Sequence, residues 1–473
     1  MTSVKLVPLY WDMLLGVREN IQGDKLSEKE EYIRLVNKSY FYFFSYCMLF
    51  REGIYEYDDG MIVFPSVSSL RDVSLQYRVK GKYDDFAFRW KERKALLRFL
   101  FTWPYLKAKR PLLVYEKSCE TAQDNGFYFF QYCMEHDMER VMGYRIYYVI
   151  DKKSPDYARV QKYEPHVLDY MTTKHIVYAL ATKLYVSPET KAHAYPMRRK
   201  GSSLSFLCKR APLLFLQHGV LGLKRVEDSL GYGRSHSSAA FVVSGDCEEE
   251  IVRKYLEYPP DRIANVGLCR WDALFDKSDT CREILVMPTW RDWLEDMTDK
   301  EFLESAYFHN YLNLLNSTRL ISYLESYDYQ LKFYLHPKMK MFLGEFQTAS
   351  QRIHLCEFTK EPLNENLMRA GVLITDYSSV CWDMYYQSKP VIFFQFDRED
   401  YNQVRGGYLD LKDGLFGSSV ETLDQLLDEL EKQFQKHFLL DDKWKEKQHD
   451  YYSYMDHEHA RRTCDYIMEH FKS

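Results

Sequence analysis

From Pro111 onward the chain is built of short apolar runs separated by longer segments with helical spacing. The runs are PLLVYE, YRIYYVID, LYVS, LLFLQ and AFVVSG, and after Asp279 they resume as EILVMPTW, YQLKFYLHP, IHLCEF, VLITD and PVIFFQF. Continuous apolar runs of this length are the signature of parallel strands covered on both faces, and their alternation with helices predicts two consecutive doubly wound α/β domains, joined near residues 268 to 282. Before Pro111 the pattern differs: helical stretches surround one strand-like patch, Met61 to Phe64, closed by a Pro65-Ser66 turn. The last forty residues read as helices rich in Lys, Glu and aromatics. The expected organisation is an N-terminal extension over 1–110, Rossmann-like domains over 111–275 and 276–435, and C-terminal helices over 436–473 that pack at the cleft.

At 473 residues, with 46% apolar and 28% charged positions, the chain is a folded protein of more than one core. A net charge of -5 provides no uniform basic field, so nucleic acid is not an expected partner and any anionic ligand must be held by local groups. The ten cysteines are scattered without a CxxC pair, which suits reduced thiols in a cytoplasmic setting, and no metal-ligand cluster is visible. Leu6 to Val17, broken by Pro8 and Asp12, lacks the core of a signal peptide, and no run of apolar residues is long enough to span a bilayer. Between Lys91 and Arg110, Leu96, Leu97, Phe99, Leu100, Phe101 and Trp103 are flanked by Arg93, Lys94, Arg98, Lys107, Lys109 and Arg110. That composition suits either a helix lying on an anionic membrane surface or an ordinary packed amphipathic helix.

In open α/β sheets ligands bind beyond the carboxyl ends of the strands, so the residues that follow each run carry the candidate chemistry. His218-Gly219 follows Leu213 to Leu216: an imidazole there faces the cleft, titrates near neutrality and can serve as a base for an alcohol, with Lys224 and Arg225 adding positive charge. His336-Pro337 ends the run Leu331 to Leu335 in the same way. Thr375-Asp376-Tyr377-Ser378-Ser379 closes a strand and opens a helix containing Asp383. Two hydroxyls and unpaired N–H groups at a helix start suit a phosphate, and plain serine capping is the alternative. Arg291, in Pro288-Thr289-Trp290-Arg291-Asp292, either reaches a phosphate or pairs with Asp292. Arg461 and Arg462 sit on a C-terminal helix, where a solvated charged face is the ordinary explanation. Motifs of P-loop enzymes, simple dehydrogenases, serine hydrolases with the GxSxG elbow and HExxH metalloenzymes are absent from the sequence.

In this order the motifs resemble the CDP-glycerol:poly(glycerophosphate) glycerophosphotransferase family from about Pro111 to Tyr466. They are His218-Gly219 with Leu223-Lys224-Arg225; Gly267, Arg270 and Asp272; Pro288 to Asp292; and His336-Pro337. Thr375 to Ser379 with Asp383 follows, then Lys389 to Phe393, Asp397, Glu399 to Tyr401 and Arg405-Gly406. The sequence departs from the family at Gln217 and Val220 beside the histidine, at His457 where a glycine is expected, and at Leu415-Phe416-Gly417. The resemblance implies a GT-B-like pair of Rossmann-type domains facing a central cleft. It also implies transfer of a polyol phosphate from CDP-glycerol or CDP-ribitol to a hydroxyl of a lipid-linked or polymer acceptor, with release of CMP, at the inner membrane surface and without a cofactor. By matching position, His218 is expected to be the base, His336, Ser378 and Ser379 the diphosphate cradle, and Arg462 an added phosphate contact. Gly219, Lys224, Arg291, Thr375, Asp376 and Asp383 complete the expected binding set. A GT-B glycosyltransferase using a nucleotide sugar and a catalytically silent scaffold of polymer assembly are the rival readings.

Overall fold

The computed structural model describes residues 83–195 and 210–471 apart from 235, 295–296 and 357–361, together with Gly81, the helix Ser203–Cys208 and four N-terminal strands. Leu6 to Val17, residues 35–54 before the N-terminal strand patch, and the last two residues of IHLCEF lie outside the described residues. The chain divides into two compact units. The first comprises Met1–Glu120, Tyr144–Tyr185 and Lys191–Pro212, and the second Thr121–Gly143, Val186–Thr190 and Leu213–Ser473.

Every apolar run expected to be a strand is one, and two parallel sheets result. The seven-stranded sheet has the order Ile263–Asn265, Ala240–Val243, Leu213–Phe215, Leu184–Ser187, Pro111–Val114, Arg145–Ile150, Val167–Asp169. The six-stranded sheet has the order Ile353–Cys356, Gln330–Tyr334, Glu283–Val286, Ala370–Thr375, Val391–Phe394, Ser418–Val420. The central strands of both are completely buried, as strands flanked by helices on both faces must be.

In the second unit the packing follows from helix pattern. Thr422 and Gln425 form a capping box that starts the helix Leu423–Gln435, and Leu426, Leu427, Leu430 and Phe434 fall on its buried face. They pack with Ile284, Val286, Val372, Ile374 and Ile392 of the sheet in one continuous core. Each such side chain contributes about 1.5–3 kcal/mol on burial.

In the first unit the patch at Met61 is the strand Met61–Val67, part of a four-stranded antiparallel sheet with Glu31–Arg34, Tyr55–Glu56 and Asp72–Val79. The turn expected at Pro65-Ser66 is instead strand, with Pro65 opposite Leu75 and Ser66 opposite Ser74. The adjacent strand Tyr55–Glu56 reaches only Ile62 and Val63, so a proline at 65 removes no donor needed by it. The basic segment Lys91 to Arg110 falls in the helix Phe86–Lys109, whose apolar and charged residues are spread around it rather than sorted onto two faces as an amphipathic helix requires; Asp85 caps it, its carboxylate accepting from Phe88 N.

Candidate active site

The second unit carries the candidate chemistry. Where the strand Leu213–Phe215 ends, Leu216 is buried and Gln217 takes a left-handed conformation with φ 49°, which turns the chain sharply outward. A non-glycine residue holds that conformation only when its surroundings fix it, and here they do. The Gln217 carbonyl accepts from Asn125 Nδ2 at 2.7 Å, and its side-chain amide donates to the Val242 carbonyl at 2.9 Å and to Glu248 Oε1 at 3.0 Å. Glu248, itself buried, also accepts from the backbone N of Leu221 and Ser244; burial pushes its carboxyl up to about 7. Gln217, a departure from the family pattern, is thus a buried strut that delivers the next residue to the surface.

That residue is His218, whose side chain is 56% exposed. Asp124 Oδ2 lies 3.5 Å from its Nδ1 and Glu189 Oε1 lies 3.9 Å from its Nε2. Burial and the Arg270 charge oppose the imidazolium, but the Asp124 carboxylate and the Glu189 charge outweigh them, and the pKa is raised above the ordinary value. Asp124 is also the residue that caps the helix Asn125–Glu135.

Gly219 was expected among the binding residues, and in the structure a side chain of the protein closes on it. The group that approaches is Ser379: a Cβ at 219 would lie 2.5 Å from the Ser379 Oγ, so only glycine fits. The backbone that follows His218 therefore packs against Ser379. Ser379 starts the helix Val380–Tyr386 without capping it through its side chain, which excludes the simple capping role for that hydroxyl. The helix has seven residues, so two turns rather than a long dipole stand behind the serines. Lys224 follows on a half-buried loop that is zipped to the segment after Arg405. Arg225 N donates to the Gly406 carbonyl at 3.2 Å, and both Tyr408 N and Leu409 N donate to the Gly222 carbonyl.

The other expected binding residues are engaged mainly with groups of the protein itself. Arg291 has no exposed side-chain surface: it is bidentate to Asp397 at 2.7 and 3.0 Å, 2.9 Å from Asp376 Oδ2, and donates to the Thr289 carbonyl at 2.7 Å. Its pairing with Asp292 is not formed; Asp292 pairs with Arg405. Asp376 is fully buried and accepts in addition from Thr289 N, Tyr377 N and the Tyr311 hydroxyl. Thr375, also fully buried, donates to the Met287 carbonyl at 2.6 Å. These three residues hold the strand ends in register and offer no surface to a ligand. Asp383 is likewise buried, bidentate to Arg270 at 2.8 and 3.0 Å and accepting from the Trp271 indole at 2.7 Å. His336 is half-buried beside Trp290, with ring centroids 6.1 Å apart. Arg462 pairs with Asp456 and lies 3.7 Å from the Tyr454 ring.

The residues not anticipated as functional are Asp124, Glu189 and Arg270. Arg270 belonged to a motif already visible in the sequence, Gly267, Arg270 and Asp272, and each of its members has a distinct task. Gly267 has φ +77°, and a Cβ there would meet His459 Nδ1 at 2.1 Å. Asp272 accepts from the backbone N of His459 and Ala460 at 2.8 Å each, satisfying the start of the helix His459–His470. Arg270 reaches back to Asp383 and to Asp124 Oδ1 at 3.2 Å. His457, standing where a glycine was expected, adopts φ 59°, the conformation glycine favours, and its Nδ1 lies 2.7 Å from the Trp271 carbonyl.

The arrangement is an exposed imidazole between two carboxylates at the carboxyl end of a parallel strand, on a turn of backbone packed against Ser379. A family model described as CDP-Glycerol:Poly(glycerophosphate) glycerophosphotransferase matches residues 99–469, and the chain belongs to that family. The match begins before Pro111, so the last part of the basic helix falls within it.

Among curated relatives, the minor teichoic acid biosynthesis protein GgaB of Bacillus subtilis is 25% identical over 76% of this chain and 40% of its own length. A teichoic acid poly(ribitol-phosphate) polymerase of Bacillus spizizenii is 29% identical over 46% of this chain and 38% of its own length. The chain thus spans about two fifths of each of these relatives. A solved structure of the wall teichoic acid polymerase TagF covers 80% of this chain and 98% of its own, with a TM-score of 0.56 and 16% identity. The common fold is the α/β fold with two parallel sheets expected from the apolar pattern, GT-B-like as the family resemblance implied.

Proposed function

We propose that this chain transfers a polyol phosphate from CDP-glycerol or CDP-ribitol to a hydroxyl of a lipid-linked or polymeric teichoic-acid-type acceptor, releasing CMP. The observation that carries this reading is the meeting of His218-Gly219 with Ser379, which brings a titratable base to a hydroxyl pair suited to a diphosphate. Family membership supports the donor class, and a TagF structure of the same fold was obtained after a soak with CDPG. In this reading His218 removes the proton of the acceptor hydroxyl, the acceptor oxygen attacks the β-phosphorus, and the bond to the α-phosphate breaks. Ser378, Ser379, His336, Lys224 and Arg462 steady the phosphate oxygens. Phosphoryl transfer gains most from positioning and charge neutralisation, so a preformed set of donors meets the main requirement.

Incubation with CDP-glycerol, CDP-ribitol and several nucleotide sugars, each with a teichoic-acid-type acceptor, is expected to give acceptor-dependent CMP from one polyol donor. Release of UDP or GDP instead would establish the glycosyltransferase reading, and no release from any donor would favour the scaffold.

The same enzyme acts in the cytoplasm, at the inner face of the membrane. Among the described residues no helix is long and apolar enough to cross a bilayer. The helix Phe86–Lys109 exposes Leu97, Leu100, Phe101 (84% exposed) and Trp103 among exposed Lys94, Arg98 and Lys107. Apolar side chains rimmed by cations suit an anionic lipid surface. Sedimentation with vesicles is expected to retain the protein on anionic but not on zwitterionic lipid. Exchange of Leu100 and Phe101 for Asp should abolish retention, and retention unchanged by that exchange rules this helix out.

A further inference from the structure

The groups around His218 extend the reading of that residue as the base, and the inference rests on that reading. Asp124 is held on two sides: its Oδ1 accepts from Asn125 N at 2.8 Å and from Arg270 Nη1 at 3.2 Å, while its Oδ2 faces His218 Nδ1. Arg270 is 7% exposed at its side chain and is fixed in turn by the two-point contact with Asp383. Its backbone N donates to Asn125 Oδ1 at 2.9 Å, and the amide nitrogen of Asn125 donates to the carbonyl of Gln217, one residue before His218. The pair Asp124-Asn125 therefore touches both the imidazole and the backbone that carries it, and one buried arginine secures both contacts. Buried charges with fixed, fully used partners are costly to displace, so the carboxylate has little freedom to swing away.

We propose that Asp124, locked by Arg270 and Asp383, is the positioning residue that fixes the tautomer of His218, with Nε2 as the atom that takes the acceptor proton. A carboxylate at Nδ1 keeps the ring proton there and leaves the lone pair on Nε2, with Glu189 Oε1 3.9 Å away to stabilise the imidazolium that forms. In the transfer, the acceptor O–H proton passes to Nε2 as the new O–P bond forms. The P–O bond to the α-phosphate breaks and CMP leaves with its electron pair. Asp124 stays ionised and opposes the positive charge that develops on the ring. The charged groups that face the ring are Asp124, Glu189 and Arg270. The two carboxylates prevail, so the acid limb of the rate profile is expected above the ordinary histidine range.

Asp124→Asn keeps the size of the side chain and removes its charge. With the full chain and whichever donor gives CMP, kcat at neutral pH is expected to fall on the order of 10²- to 10³-fold. The donor KM should stay within about twofold, and the acid limb should move to lower pH. Asp124→Glu, which restores the charge, should recover at least roughly tenfold of the loss. Proton NMR of the His218 ring supplies a readout independent of turnover: its titration should move to lower pH in Asp124→Asn, and a merely structural residue would not move it. Unchanged kcat and an unmoved ring titration in Asp124→Asn, with His218→Ala inactive, would overturn the role of Asp124 and leave the base in place. Full activity in His218→Ala would overturn the base itself.

Discussion

Replacing His218 with alanine is expected to lower the rate of CMP release by about 10²- to 10⁴-fold, the ordinary contribution of a positioned base. Donor affinity should be spared, because the residue faces the acceptor side of the proposed reaction. The side chain is more than half exposed and its main neighbours are two carboxylates. Its removal leaves no cavity, and the fold should melt at its usual temperature. The contrasting variants are His336→Ala and Ser378→Ala, which should weaken donor binding as well as turnover. Equilibrium dialysis with CDP-glycerol alongside the CMP assay separates the two patterns. If His218→Ala lost donor affinity and turnover together, the acceptor-side placement would be wrong.

The largest effect on stability is expected at Arg291. Truncation to alanine would leave Asp376 fully buried and Asp397 nearly so, both stripped of their cation. It would also empty a site in which the guanidinium lies within 6 Å of the rings of Trp293, Tyr307, Tyr377 and Tyr401. Breaking a buried pair from one side typically costs about 3–5 kcal/mol. Urea unfolding followed by circular dichroism should show that loss, whether or not donor is present. A phosphate-contacting arginine would behave in the opposite way, with normal unfolding and a raised donor dissociation constant, and that outcome would return Arg291 to the binding set.

These two residues illustrate what could be read from the sequence. Position after a buried strand singled out His218 and the serines as candidates, because strand ends in a parallel sheet share one side, and the structure packs Gly219 against Ser379. Charge type alone placed Arg291, Asp376 and Asp383 in the binding set, and the structure buries all three in ion pairs: nothing in a string of letters tells a cation that waits for a phosphate from one whose donors are already consumed by carboxylates distant in sequence. Asp124 was invisible for a related reason, since it lies 94 residues before His218 and meets it only through the fold.

The fold shows the same division. The strands predicted from apolar runs are present, whereas Val167–Asp169, Ile263–Asn265 and Ser418–Val420 went unnoticed. Each of the three is an edge strand of three residues. An edge strand has a neighbour on one side only, needs fewer buried positions, and leaves too short an apolar run to stand out from loop. The antiparallel N-terminal sheet was missed apart from its Met61 strand, because a turn was read into Pro65-Ser66, which an open strand edge tolerates.

The clamp formed by Gly267, Arg270 and Asp272 ties chain economy to chemistry. The peptide that presents Arg270 toward the imidazole is the same peptide against which the terminal helix is seated, with Trp271 stacked on Tyr386 and edge-on to His459. A clip by protease or a tag fused rigidly near residue 470 is therefore expected to act at a distance, slackening the arginine and with it the electrostatic setting of His218. The helix His459–His470 thereby bears on His218 through the segment that carries Arg270.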